Sequence, residues 1–463
     1  MKSPVLAPLL VASFGAAGAF AQGTDAHQGP LQLSDEPAPL RTDLVPDRPR
    51  PILELGDPFL GTGPFGAPFV TATGAVWQPS LLVYGTLRTG FSRYDTPTTV
   101  RTELVSRLDL FGNLQLSGTE RLLVGLRPLD QDGRFTRYVF SPDDAPDGDG
   151  FQDEFNAELT TLFFEGDFGE LFPGLDRRDQ RTYDVGFSVG RQPYSLQDGL
   201  LLDDRIDAIG ITRNSLLPSG TSNLRVTGVL GVGDLHRGDN VEDDDALLLA
   251  LSSEADLPYS TVGIDAVWVA DTGGSDTDAL FAGVGAVQRI GRVNTSFRAM
   301  TSQPLHGESS AAGRGGLLFA ELSRELEHSH DQVYATAFAG LGDFTSAARG
   351  PENGGPLGRA GILFAAVGLG GYPAALGNDA KDALGGALGF QTYLGDERER
   401  RQLVLEVGGR AGTDGSAADA VALGSRYQVA FGRHGVVVVD GYLVGRHDIG
   451  PSAGLRFEVQ FKF

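Results

Sequence analysis

Seven arginines, Arg88, Arg101, Arg107, Arg121, Arg225, Arg298 and Arg410, recur in segments where apolar residues occupy every second position. Arginine presents a planar, permanently charged fork that holds carboxylate or phosphate oxygens in pairs. Lysine occurs only at positions 2, 381 and 462, so nearly all positive charge in the chain is guanidinium. Carboxylates share the same phase: Glu103, Asp109, Asp207, Asp265, Glu406, Asp440 and Glu458. On the wall of a water-filled passage, rings of Arg favour anions, rings of carboxylate favour cations, and opposed rows set up a transverse field. The simpler alternative is that these charges pair along the wall and only hydrate and stiffen it.

A second group of residues has the types that bind calcium. Asp147, Asp149 and Asp153, with Gly150 between them, resemble calcium loops in which hard oxygen ligands converge around a glycine turn. The match is partial, because Ala145 stands where another ligand is expected. The consequence would be Ca2+ stiffening an outer loop; otherwise the segment is a solvated acidic loop, and no other cofactor is expected. His328 and His330 flank Ser329 beside Asp331 in a turn, without the partner pattern of a metal pair. The seven histidines show no Ser/His or Asp/His arrangement at a strand end, so the chain does not read as an enzyme. Its net charge of -23 argues against nucleic acid as a partner.

The elements that carry these residues are strands. In the segment Leu455 to Phe463, apolar residues occupy 455, 457, 459, 461 and 463, and Arg456, Glu458, Gln460 and Lys462 fill the gaps. A strand sends alternate side chains to opposite faces, which gives this one an apolar and a polar face. The same period recurs around Leu81–Phe91, Leu104–Leu116, Leu224–Leu230, Val262–Trp268, Val293–Ala299 and Leu403–Val407. Segments of about ten alternating residues separated by turns are the signature of a transmembrane barrel, apolar towards lipid and polar towards the lumen. The expected fold is all-β: one antiparallel barrel of about eighteen strands over residues 77–463, with both ends on the side of the short turns. Long connections fall on the opposite side, at 129–155, 234–244, 271–277, 303–314 and 343–383. The apolar stretch Ala360 to Leu369 would break the even strand count if it spanned, so it belongs to a large outer loop or an infolded constriction.

Before the barrel, residues 1–21 read as a secretory signal peptide: Lys2, an apolar stretch from Val5 to Phe20, and Ala19-Phe20-Ala21 as the cleavage signal. No other run is long and apolar enough for a membrane helix, and zero cysteines leave the fold to close by hydrogen bonds. Residues 22–76, rich in Pro and Gly, form an irregular periplasmic segment or a small plug. The expected location is the bacterial outer membrane.

The C-terminal strand resembles the closing strand of bacterial outer-membrane β-barrel porins. That resemblance implies contact with outer-membrane lipid and recognition of Phe463 by the barrel-assembly machinery. Gly190-Arg191-Gln192 followed by Asp204-Arg205-Ile206-Asp207-Ala208-Ile209-Gly210 resembles barrels of the alginate-export family. This second resemblance implies an eighteen-stranded barrel with an Arg-rich lumen that passes acidic polysaccharide. The leading expectation is therefore a channel for small or polymeric hydrophilic anions such as acidic saccharides, lined by the seven arginines. Two others remain: an importer of hydrophobic compounds plugged by residues 22–76, with Pro58, Phe59, Leu60, Phe65 and Phe69 as its apolar set, and a structural or surface-attachment barrel.

Overall fold

The computed structural model describes residues 50–57, 66–97, 100–140, 150–175, 183–395, 400–415, 419–447 and 449–463. Eighteen antiparallel strands close into a barrel. They are β1 (Ser80–Asp95), β2 (Val100–Gln115), β3 (Arg121–Leu126), β4 (Leu159–Asp167), β5 (Val185–Leu196) and β6 (Leu202–Leu216). Then follow β7 (Asn223–Gly233), β8 (Ala246–Asp256), β9 (Ser260–Asp271), β10 (Ala279–Ile290), β11 (Val293–Pro304) and β12 (Gly315–Glu325). The last six are β13 (Gln332–Gly342), β14 (Ala383–Tyr393), β15 (Arg401–Gly412), β16 (Ala420–Phe431), β17 (Gly435–Arg446) and β18 (Ile449–Lys462). Each strand pairs with its sequence neighbour, and β18 closes on β1 from Ala453 opposite Asp95 to Lys462 opposite Thr86. Closure removes the open edge, which satisfies every ladder hydrogen bond inside a membrane.

The alternation does what the sequence pattern predicts. On the outer face Leu87, Phe91, Ile209, Leu251, Ile264, Leu388, Leu423, Leu455 and Phe457 are exposed, a belt suited to lipid. On β18 the intervening Arg456 and Glu458 are buried inside. Tight turns hold the rim where β1 begins and β18 ends. Ile290 pairs with Val293 across a two-residue turn, and Gly291 sits there at φ +63, where a side chain would be strained. Of the N-terminal segment, Leu53–Leu55 adds to the sheet beside Val83–Leu81 of β1, and Phe69–Val70 pairs with Val76–Trp77. Pro58, Phe59, Leu60 and Phe65 lie outside the described residues, as does the signal peptide.

Two connections on the opposite rim do not stay outside. The β13–β14 connection, residues 343–382, folds into the lumen and supplies the buried residues Phe344, Leu357, Leu363, Phe364 and Leu369. The short β5–β6 connection around Gln197–Gly199 bends inward to meet it. Ala347 N donates to Leu201 O at 2.8 Å, Ser346 Oγ to Leu200 O at 2.7 Å, and Leu202–Asp203 pair in parallel with Ala348–Arg349. The stretch Ala360 to Leu369 is thus an infolded constriction, one of the two expected placements.

The infold corrects one expectation about the wall. Leu248, Val267, Val269, Phe281, Met300, Leu317 and Phe319 have inward phase yet are apolar and buried. They form one hydrophobic cluster with Leu200, Leu201, Phe344, Ala347 and Phe364. Period-two alternation with polar residues inside describes a wet lumen; where protein fills the lumen, apolar residues are stable on both faces.

Candidate functional site in the lumen

Non-helical backbone at membrane depth needs its N–H and C=O groups satisfied by protein or trapped water. The inner wall supplies those partners, and the seven arginines are prominent among them. Arg88 donates to Val367 O at 3.2 Å and Gly368 O at 3.3 Å while pairing with Glu458 at 2.6 Å. Arg107 donates to Gly368 O at 3.0 Å and pairs with Asp109 at 2.8 Å. From β15 Arg410 donates to Asp379 O at 3.0 Å and pairs with its carboxylate. Carboxylates hold the infold's donors. Glu406 accepts from Leu363 N at 2.9 Å, Ile362 N at 3.1 Å and Tyr334 OH at 2.6 Å; Glu103 accepts from Gly371 N at 2.6 Å. Close approach needs a small residue beneath, and Gly90 provides it: a Cβ there would lie 3.0 Å from Leu369.

The remaining four arginines are paired as well. Arg101 lies 3.3 Å from Glu103, Arg225 lies 3.0 Å from Glu254, Arg121 pairs with Glu165, and Arg298 pairs with Asp198 on the β5–β6 connection. All seven face inward, as the phase predicts. They are not gathered into one row of free guanidinium groups. Arg88, Arg107 and Arg410 clamp one infold, Arg298 clamps the other, and Arg101, Arg121 and Arg225 pair along the wall.

Other charged residues matter that the sequence did not single out. Arg127, almost fully buried, pairs with Asp109 at 2.9 Å, Asp130 at 2.8 Å and Glu352 of the infold at 2.9 Å. Arg205 reaches the same Glu352 oxygen at 2.8 Å. Arg349, fully buried, donates to Asn353 O at 2.9 Å and Gly354 O at 2.7 Å. The infold is polar and Gly-rich around Glu352 and apolar from Ala360, and that change in composition is the signal that marks it. Burial pushes the Glu352 carboxyl up, but Arg127, Arg205 and Arg107 outweigh it and hold the group well below the usual carboxylate range.

A pH dependence follows from that sign. A depressed folded-state value contributes stability above the ordinary value of 4.5, and the contribution fades as pH falls below it. Bilayer recordings should therefore show more frequent transient openings as pH drops below that point. Glu352→Gln should bring the same openings at neutral pH, since removing one partner of a buried pair costs roughly 3 kcal/mol. A wild-type record unchanged by acidification would show that Glu352 does not hold the infold.

Beside the β5–β6 infold, whose Gln197 and Asp198 border it, an open cavity of about 710 Å3 remains, reaching Thr119 at the short-turn rim. Ser188, Tyr194, Thr212, Thr227, Ser252 and Thr261 give it a hydrogen-bonding wall. Its charged lining is Glu165, Asp167, Asp184, Asp198, Glu254 and Asp265 against Arg225 and Arg298.

The other predicted positions separate. Asp147 and Asp149 lie outside the described residues; Asp153 is described, and its side chain accepts from Phe155 N at 3.1 Å. In the Gly190-Arg191-Gln192 stretch it is Gln192 that is buried, bonded to Ser188 and Tyr194 of the cavity wall. Arg191, of opposite phase, pairs with its register partner Asp207 at 2.9 Å and with Asp234 at 3.0 Å, so Asp207 has the outer phase of Ile209 and not the inward phase expected of it. His330, in the β12–β13 turn, lies 3.3 Å from Glu325 and is exposed.

No protein-family model matches the chain, and no curated protein sequence matches it. Solved structures do. The outer membrane protein opdK from Pseudomonas aeruginosa superposes with a TM-score of 0.54 at 10% identity, over 82% of this chain and 98% of that one. Pseudomonas aeruginosa OpdQ gives 0.53 at 10% identity, over 83% and 98%. Acinetobacter baumannii OccAB1 gives 0.52 at 7% identity, over 83% and 96%. At such identities the likeness is one of fold. An eighteen-stranded barrel with an apolar outer belt is the fold of an outer-membrane porin.

Proposed function

We propose that this chain is a narrow outer-membrane diffusion channel for small hydrophilic solutes. The infolds would limit solute size, and the cavity wall would set the charge preference. The observation that carries the reading is the open, hydrogen-bonding cavity bounded by β4 to β11 and the β5–β6 connection, in a barrel whose lumen residues 343–382 also enter. Barrels of this strand number leave an aqueous passage unless something occupies it. One of the similar structures is an outer membrane protein, which supports placing this barrel in that membrane. A polymeric solute is disfavoured, since a saccharide chain would have to displace hydrogen-bonded backbone.

Charge preference is the finer question. Six carboxylates face the cavity against two guanidinium groups, and a low-dielectric wall focuses that imbalance, so the cavity favours cations or solutes with a basic group. The expected anionic solute is the second reading. It is favoured by Arg225, whose half-exposed side chain could exchange Glu254 for a solute carboxylate. An importer of hydrophobic compounds finds less support, because the described part of residues 22–76 contributes Leu53–Leu55 to the sheet beside β1.

Reversal potential in a salt gradient decides between the readings. Mild cation selectivity is expected, reduced by changing Asp198, Glu254 and Asp265 to their amides and kept in Arg225→Gln/Arg298→Gln. An anion-selective wild type that loses its selectivity in the double arginine variant would establish the second reading instead.

A further inference from the structure

At the outer mouth, Asp132, His236 and Glu242 each offer a ligand atom, and the three atoms lie within 4.8 Å of one another. Asp132 comes from the β3–β4 connection and the other two from the β7–β8 connection. An antiparallel bridge between His236 and Glu242 brings those two together. His236 is only 7% exposed, and it is held from behind. The Asp204 carboxylate lies 3.1 Å from Nδ1 and accepts the His236 backbone N–H at 2.8 Å. A carboxylate on Nδ1 fixes the tautomer and leaves Nε2 with its lone pair, an arrangement that metal-binding imidazoles use. Asp132 and His236 also line a cleft of about 60 Å3, together with Asp130, Asp234 and Pro351. Two carboxylates converge on this imidazole, and the other arginines that line the cleft, Arg127 and Arg205, are held by Asp109, Asp130 and Glu352. Arg134 approaches Asp132 only at 3.9 Å and is largely exposed, and the nearby Arg191 is engaged with Asp207 and Asp234.

We propose that Asp132, His236 and Glu242 bind one divalent transition-metal ion of the zinc type. One imidazole nitrogen with two carboxylates suits such an ion better than calcium or magnesium, which prefer all-oxygen shells. Tetrahedral bonds near 2.0 Å put ligand atoms roughly 3.3 Å apart, so the two exposed carboxylates close on the fixed histidine by changing rotamer. Three protein ligands leave a fourth position to water. Arg349 N donates to His236 O at 2.9 Å, so the ion would tie two outer connections together next to the anchor of the infold. The site is independent of which solute the channel passes.

The test uses the tag-free full chain in detergent, with Zn2+ added and binding read by calorimetry. Co2+ serves as a second probe through its d–d absorption. One Zn2+ per chain is expected. Affinity should fall at least tenfold in Asp132→Asn/Glu242→Gln, two exposed positions whose change leaves the barrel heat-modifiable, and in His236→Gln. Absence of stoichiometric binding to the wild type would overturn the proposal. So would unchanged affinity in the carboxylate double variant, or loss of binding only on replacing His328 and His330.

Discussion

Replacing residues 343–381 with Asn-Gly should leave a folded barrel whose single-channel conductance is several-fold higher than that of the full chain. The join is already prepared. Asp382 N donates to Gly342 O at 2.9 Å, and Gly342 N donates to the Asp382 carboxylate at 2.8 Å, so β13 and β14 meet as a hairpin beneath the insertion. Asn-Gly suits a two-residue turn of that geometry. Deletion strips partners from Arg88, Arg107, Arg410, Glu103 and Glu406, but water entering an open lumen hydrates those charges. The apolar inner patch around Phe281, Leu317 and Phe319 becomes wet, which lowers stability without breaking the strand ladders. Heat-modifiable mobility on a gel reports the barrel, and exclusion of neutral polymers of graded size reports the pore. Unchanged conductance in a folded deletion variant would mean that ions pass elsewhere and that the infold is not the constriction. Glu406→Gln is the gentler version: it weakens the anchor beneath Ile362 and Leu363 and should add flicker rather than a wide pore.

Much of the barrel was legible because its signal is redundant. Several strands, β1, β2, β11, β15 and β18 among them, each carry their own alternation, and the tight turns at Ser117-Gly118, Gly291 and Gly432 mark one rim. Phase alone placed Arg88, Arg298 and Arg410 inside. Phase could not say what they face, because that depends on residues far away in the chain: Arg88 meets Val367 and Arg298 meets Asp198. Reading the arginines as anion ligands assumed a lumen of water. The infold replaces much of that water with backbone carbonyls, which are also guanidinium acceptors. The inward apolar residues of β8 to β12 were a second trace of the infold. Val267 and Val269 beside Asp265 break the polar-inside rule, and on a wet wall they would have no explanation. The outer-mouth cluster was invisible for the same reason. Asp132 and His236 stand in separate connections, and only the folded rim brings them together.

Changing Phe457, Phe461 and Phe463 together to Ser should abolish insertion into the outer membrane while export to the periplasm continues. These residues lie at the closing seam, where β18 meets β1. Phe457 faces Phe91 across the register and Phe461 faces Leu87, and Phe457, Phe461 and both partners are exposed to lipid. Phe463 N donates to Gly85 O at 3.0 Å and Gly85 N donates to Phe463 O at 2.8 Å, so the ladder runs to the last residue. Phe457 and Phe461 each forfeit about 2 kcal/mol of favourable transfer when removed from the apolar belt, and with Phe463 they lie along one seam, which closes the sheet. Seam closure is also what turns an open sheet, with unpaired edges that a bilayer does not tolerate, into a spanning barrel. Loss at this strand therefore acts on assembly rather than only on final stability. A comparison with Leu251→Ser/Leu388→Ser, belt changes of similar chemistry away from the seam, separates the two effects. Those variants should insert and melt at lower temperature, whereas the seam variant should accumulate in the periplasm and be degraded. Deleting Phe463 alone tests whether an assembly machinery reads the last residue, apart from the belt energetics, since its side chain is only partly exposed. Normal yields of heat-modifiable barrel from the triple variant would remove β18 from any special role in closure.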